Sequence, residues 1–367
     1  MSGSTTKVTY GLIGFGGLAE NRIARESFDI PVPGRPRVRH ESSRRARPVL
    51  KGVTDIDSTR RHRALALGLR WYDSVHELLE DDSIRAVYIS SNNKSHYSLA
   101  KQVLESGRHC LVEKPMATTL EEAQELCRIA KQNCRSLSVD HMMVHNSYNA
   151  RARDILRKAT LGFVNDFSIH MEFLFGTDSR EAESWRCVDP EELGGPIGDV
   201  GSHCLYMAEF LTSSRISKLA CAYLPASIPI NVENGAMIHV ILQNGIQGSI
   251  GVAFNRPRGG PAGTLLNLGY EIYGTEGILR ACGTMFQLSG SRSDPVRIRM
   301  CIESAARTRW IRVKRPNNIY REAVAQHALS IADQAPDDCA DGVRNLRLIL
   351  ASRESARDNS RWIDIPS

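Results

Sequence analysis

Between Val8 and Val139, short apolar runs of strand length alternate with segments of helical periodicity, and this alternation constrains the fold more than any other feature. Strand candidates are 8–13, 49–54, 86–90, 109–112 and 137–139. Helix signals fill the gaps. Residues 18–28 read as a helix, and Ser74-x-x-Glu77 is a capping box before Val75, Leu78 and Leu79. Residues 95–106 are helical and stop at Gly107. Thr119-x-x-Glu122 opens a helix with Leu120, Ala123, Leu126, Cys127 and Ala130 at helical spacing. Strands joined through helices pair in parallel, so this half predicts an α/β, doubly wound parallel sheet. Such sheets bind ligands at the carboxyl ends of their strands. Asp55, Ser90, Asn92, Asn93, Glu113 and Lys114 all fall at those ends.

The first strand runs into Gly14-Phe15-Gly16-Gly17-Leu18-Ala19. This spacing matches the G-x-G-x-x-G/A turn that places a dinucleotide pyrophosphate at a helix N-terminus. Gly14 makes the tight turn, Gly16 leaves room for phosphate beside bare backbone, and Ala19 lets the helix pack close to the strand. Free N–H groups and the helix dipole favour the phosphate charge. Asp55, at the end of the second strand, is placed to accept hydrogen bonds from the adenosine ribose hydroxyls, which favours NAD. Arg60 and Arg61 nearby keep NADP possible. Asp55 can also be read as the cap of a helix beginning near Ser58. Residues 29–48 separate the first helix from the second strand and read as a basic insertion. Pro31, Pro33 and Pro36 exclude a helix there. As a link to the start of the second strand, the insertion is expected at the amino edge of the sheet, away from the nucleotide.

The formal charge of +6 is local. Arg35, Arg37, Arg39, Arg44, Arg45, Arg47 and Lys51 stand against Glu41 alone and account for the whole excess. With no interleaved aromatics, that stretch is not a nucleic-acid surface. No run of about 18 apolar residues suggests a membrane span, and the first residues lack the apolar core of a signal peptide. The nine cysteines show no C-x-x-C pair. They read as reduced packing cysteines of a cytoplasmic protein.

From about Met142 the pattern changes. A helix over 147–158 precedes strand-like runs at 166–175, 218–223, 236–242, 248–254, 265–273 and 296–301, and a helix over 341–356 closes the chain. Few helices intervene, which predicts an α+β domain with a large, mostly antiparallel sheet. The expected division is therefore 1–141 and 142–367. Glu172, His170 and Asp178 lack metal-ligand spacing and are read as structural, with no metal. Asp199 and His203 are four apart and share a helix face, beside the apolar stripe Val200, Cys204, Met207 and Leu211. A carboxylate beside an imidazole is a workable general base near neutral pH.

Several stretches resemble the glucose–fructose oxidoreductase / inositol dehydrogenase (Gfo/Idh/MocA) family of NAD(P)-dependent sugar and cyclitol oxidoreductases. Gly107-Arg108-His109 through Glu113-Lys114-Pro115 is close to that family's G-K-H…E-K-P. Val87-Tyr88-Ile89 through Asn93 and His96 resembles its third-strand segment. Trp185-Arg186-Cys187-Val188-Asp189-Pro190, followed by Gly194-Gly195 and Asp199-Val200-Gly201-Ser202-His203, resembles W-R-x-D-P…G-G-G…D-x-G-x-H.

The resemblance implies oxidation of a secondary alcohol of a sugar, sugar derivative or cyclitol, or the reverse. It implies Lys114 hydrogen-bonding the reacting oxygen, His203 as base and Asp199 orienting it. Trp185, Arg186 and Tyr206 would line the substrate side, and Ser90, Asn92, Asn93, His96 and Glu113 the cofactor side. It also implies a homodimer or homotetramer, paired through the outer face of the second sheet. Relatives that retain NAD and cleave glycosides by transient oxidation, and relatives that only bind NAD or sugar as regulators, are the alternatives. The chain departs from the family pattern in three places. Asn92 stands where proline is usual, Val144-His145-Asn146-Ser147 where an arginine–x–x–proline run is usual, and Tyr206 where aspartate is frequent.

Overall fold

The structure is a computed structural model and describes residues 5–28, 30, 45–257, 266–285, 298–313, 317–335, 337 and 339–366. The chain forms two compact units, one of residues 1–142 and 320–343, the other of residues 143–319 and 344–367.

The first unit is built on six strands, β1 (Thr6–Ile13), β2 (Ala46–Thr54), β3 (Arg70–Trp71), β4 (Ala86–Ile89), β5 (His109–Val112) and β6 (Leu137–Val139). They are ordered β3-β2-β1-β4-β5-β6, and every pairing is parallel. Strand order reverses between β1 and β4, which opens a crevice at their carboxyl ends. Central strands buried on both faces read as unbroken apolar runs, and Val87, Tyr88 and Ile89 of β4 are fully buried. Helices Ala19–Ser27, Asn93–Glu105 and Leu120–Gln132 accompany the sheet, and the last opens with the Thr119/Glu122 capping box.

Three expectations need correction here. β2 begins at Ala46, not Val49, and includes Pro48. Proline is tolerated because β3 pairs β2 only at Gly52 and Val53, leaving that stretch of β2 an edge. Thr6 pairs Ala46, so the chain re-enters at the amino edge of the sheet. Most of the basic insertion, residues 29 and 31–44, lies outside the described residues. Helix Ile319–Ala332 was not foreseen. Its Tyr320–Ala332 stretch counts with the first unit, where the Tyr10 hydroxyl lies 2.9 Å from His327 Nδ1. Nor are all nine cysteines free: Cys127 and Cys339, separated by 212 positions, form a disulfide.

The second unit carries a nine-stranded sheet. Its strands are β7 (Val164–Glu172), β8 (Ile216–Tyr223), β9 (Gly235–Leu242), β10 (Gln247–Ala253), β11 (Leu268–Gly274), β12 (Gly277–Cys282), β13 (Arg299–Glu303), β14 (Thr308–Ile311) and β15 (Ile363–Asp364). The order is β14-β13-β12-β11-β7-β10-β9-β8-β15, antiparallel except for β7 with β10. Along β7, Phe167, Ile169 and Met171 are buried and alternate with Asp166, Ser168 and His170 on the other face. That alternation marks a sheet with one face packed and one open. Helices Ser147–Arg157, Ser202–Thr212 and the later part of Ala340–Arg357 belong to this unit. Among the described residues, no helix is long and apolar enough to cross a membrane.

Candidate functional site

In the first unit, the candidate site is built at the end of β1. Gly14 has φ +86°, and its N–H donates to the Thr54 carbonyl at 2.9 Å. A Cβ there would sit 2.6 Å from the Ser90 carbonyl oxygen, so the turn is wedged between the ends of β2 and β4 and only glycine fits. Beyond it the backbone is open. A Cβ on Gly16 would meet only the Arg60 guanidinium, at 3.7 Å, and one on Gly17 nothing within 4 Å. Leu18 then leads into helix Ala19–Ser27, where Ala19 is fully buried. Bare backbone at a helix start, with space before it, fits a dinucleotide pyrophosphate.

Asp55 is tied into this turn. Its Oδ2 accepts the Phe15 N–H at 2.5 Å and its Oδ1 accepts the Asp57 N–H at 2.8 Å. The helix cap is Asp57, which accepts the Thr59 N–H at 3.1 Å, so Asp55 does not cap. Arg60 donates to the Phe15 carbonyl at 2.9 Å and lies 3.8 Å from Asp55. This place of Arg60 in the turn has no motif in the sequence. An arginine five residues after the acid was the only signal.

The ends of β4 and β5 are knitted together from below. His96 is fully buried, with Nδ1 2.8 Å from the Pro115 carbonyl and Nε2 3.2 Å from the Ser91 carbonyl. Burial pushes its pKa down to about 4. Glu113 is buried and accepts the Tyr88 hydroxyl at 2.8 Å, while the same hydroxyl lies 2.5 Å from Asp140 Oδ2. The side chains of His96 and Glu113 thus brace the loops at this end of the sheet. Asn92 is exposed, Asn93 is buried and Lys114 is half-buried at this edge. Tyr88 and Asp140 were missed, because an apolar strand and a strand end give no sign that their polar atoms meet.

The second unit carries its own cluster of candidate residues. Trp185 and Arg186 stand in a single helical turn, Trp185–Val188, with the Arg186 guanidinium stacked 4.3 Å over the Trp185 ring. Arg186 Nε is 3.5 Å from Asp199 Oδ1. Asp199 lies in a wide, π-type turn, Ile197–Gly201, that runs into helix Ser202–Thr212. Such widened turns shift side chains relative to a regular helix and recur at functional sites. His203 is only 3% exposed, and Tyr206 is half-buried one turn on.

The lead-in loop is clamped from beneath. Arg353 donates to the carbonyls of Pro190, at 2.8 Å, and Gly194. Glu233 lies 3.6 Å from Arg353 and accepts the Ile197 N–H at 3.1 Å. Gly195 has φ +77°, and a Cβ there would lie 2.6 Å from the Glu233 carboxyl. Asn345 adds a bond to the Ser202 carbonyl at 2.9 Å. Neither Glu233 nor Arg353 stood out in the sequence, since both are isolated charges without a motif.

The first unit matches the model of an oxidoreductase family with an NAD-binding Rossmann fold over residues 8–141, and residues 149–280 match the GFO/IDH/MocA C-terminal domain. The chain belongs to this family. Among curated relatives it is 28% identical to a 1,5-anhydro-D-fructose reductase of Ensifer adhaerens, over 58% of this chain and 62% of that one. It is 24% identical to a levoglucosan dehydrogenase of Pseudarthrobacter phenanthrenivorans, over 54% and 56%. The matches thus span less than two thirds of these relatives. In fold it is similar to an inositol dehydrogenase homologue from Azotobacter vinelandii, solved with NAD+. That similarity has a TM-score of 0.78 and 20% identity, and covers 99% of this chain and 100% of that one.

The residues weighed as metal ligands are engaged otherwise. His170 Nε2 pairs with Ser168 Oγ at 2.7 Å, Glu172 with Arg256 at 2.5 Å, and Asp178 caps Ser179–Ala182.

Proposed function

We propose that this member of the family transfers hydride between a secondary alcohol of a sugar, sugar derivative or cyclitol and a nicotinamide, with NAD preferred. The observation that carries the reading is the open glycine cradle bounded by Asp55, with Lys114 just past the end of β5, two strands from β1 in the same sheet. Bound NAD would supply the two-electron chemistry at the carbinol carbon. Gly14, Phe15, Gly16, Gly17, Leu18 and Ala19 would hold its pyrophosphate, and Asp55 its adenosine ribose.

The protein supplies the rest. His203 takes the hydroxyl proton as general base, and its near-complete burial keeps bulk water from competing. Asp199 orients that imidazole and shares its charge with Arg186. The Lys114 ammonium hydrogen-bonds the reacting oxygen and stabilises the negative charge that develops there. Trp185, Arg186 and Tyr206 contact the remaining hydroxyls. The family resemblance carries with it a homodimer or homotetramer, paired through the outer face of the second sheet.

The test is a panel of polyols, sugars and glycosides with NAD and NADP, followed at the reduced-nicotinamide absorbance with product analysis. Net cofactor reduction with a ketone or lactone product is expected. A cleaved glycoside without net reduction would assign the glycoside-cleaving chemistry instead.

A further inference from the structure

The buried chain Glu113–Tyr88–Asp140 has one more hydrogen-bond contact than its phenol has protons. Tyr88 Oη lies 2.8 Å from Glu113 Oε1 and 2.5 Å from Asp140 Oδ2. A phenol carries one proton, and an ionised carboxylate only accepts. With both carboxyls ionised, one contact would set a phenol lone pair against an anion, out of reach of water. A second proton, on one carboxyl, resolves the conflict. That carboxylic acid donates to Tyr88, and Tyr88 donates onward to the other carboxylate.

The surroundings decide which carboxyl holds it. Asp140 is 1% exposed and Glu113 7%. Burial, and then the Glu113 charge, push the Asp140 carboxyl well above the ordinary carboxylate range, against the pull of the Tyr88 hydroxyl and the Met142 N–H. Facing the pair from other elements are Tyr88 on β4 and Tyr320 on helix Ile319–Ala332, and Tyr320 also feels Arg22 and Glu26. Lys114 follows Glu113 directly.

We infer that Asp140 is a positioning residue, held as a neutral carboxylic acid at neutral pH, whose proton fixes Tyr88 and through it the Glu113 carboxylate that precedes Lys114. The protonation itself is independent of the proposed function. Only its effect on turnover rests on the reading of Lys114.

Infrared difference spectra of the full chain without added cofactor, wild type minus Asp140→Asn, test the protonation at neutral and mildly alkaline pH. A carbonyl-stretching band of a protonated carboxylic acid is expected, shifting on transfer to D2O. No such band overturns the inference. Should Asp140→Asn fail to fold by circular dichroism, Tyr88→Phe serves in its place. The acid then loses its phenol acceptor, and its band moves to higher frequency; an unmoved or absent band overturns the inference.

Turnover tests the positioning. Asn retains a donor at this place and Leu does not. Asp140→Asn should keep kcat within about two-fold, and Asp140→Leu should lose about ten-fold, the equivalent of one hydrogen bond in a charged network. An infrared band with equal kcat in both variants overturns the positioning role. A band in wild type that reduces NAD with no substrate in the panel overturns the functional reading instead.

Discussion

The Asp55 carboxylate accepts the Phe15 backbone N–H at 2.5 Å, so the acid at the end of β2 is fastened to the glycine turn at the end of β1. Its other oxygen takes the Asp57 N–H at 2.8 Å. A carboxylate offers about four acceptor positions, and two backbone donors leave room for two ribose hydroxyls. Arg60 closes the same corner by bonding the Phe15 carbonyl. The corner that would meet the adenosine ribose on the proposed reading thus holds an acid and an arginine side by side.

NAD should give the higher kcat/KM, because Asp55 repels a 2′-phosphate at this corner. Asp55→Ala should narrow the ratio of NAD to NADP and weaken NAD, since Arg60 then faces the ribose without its carboxylate neighbour. Steady-state kinetics with both cofactors check this. A wild-type preference for NADP would show that Arg60, not Asp55, governs the corner.

His203→Ala should lower kcat by about 10²–10⁴, the usual worth of a general base, while the Kd for NAD stays within a few-fold. Asp199→Asn should cost less, because the imidazole remains. Lys114→Ala should reduce kcat and also weaken the cofactor. Isothermal titration with NAD alongside turnover separates these effects. Near wild-type kcat in His203→Ala would remove the histidine from the chemistry and direct attention to Tyr206, which follows it on the same helix.

The parallel sheet was legible because buried strands such as Ala86–Ile89 and helices with one apolar stripe leave different periodicities in the sequence. Helix Ile319–Ala332 was not legible for the complementary reason. Ile319, Tyr320, Ala323, Val324, Ala325, Ala328 and Ile331 are all buried and spread over a broad arc of the helix, so no narrow stripe stands out. The glycine turn and the Asp199/His203 spacing could be read because each is local in sequence. The supports of those residues could not. Tyr88 and Asp140 are 52 positions apart, and Arg353 lies 159 from Gly194. Contacts that distant follow from the fold, not from any nearby pattern.

Arg353→Met should impair turnover without touching the cofactor. Its guanidinium holds the Pro190 and Gly194 carbonyls beneath the loop that leads to Asp199, and Glu233 would be left buried without its cation. Removing one member of a buried pair typically costs about 3–5 kcal/mol. Urea unfolding should show a loss of that order. In the fraction that remains folded, kcat/KM for the alcohol should drop while NAD affinity holds. Unchanged stability would mean that the clamp is dispensable.

Acid should destabilise the first unit through its buried histidines. Burial pushes His96 down to about 4 and His327 down to about 3, while an unfolded histidine titrates near about 6.5. Between those values the unfolded chain binds protons that the folded chain refuses, so stability rises with pH. The contribution is complete above about pH 6.5 and is lost as pH falls through the folded values. Each histidine adds up to about 1.4 kcal/mol per pH unit within its window. His327→Gln keeps a polar partner for Tyr10 but cannot titrate. The first urea transition, followed between about pH 6.5 and 4, should depend on pH less steeply in this variant, by about one proton. Equal slopes in the two proteins would mean that His327 is already protonated in the folded state or that it titrates alike in both states.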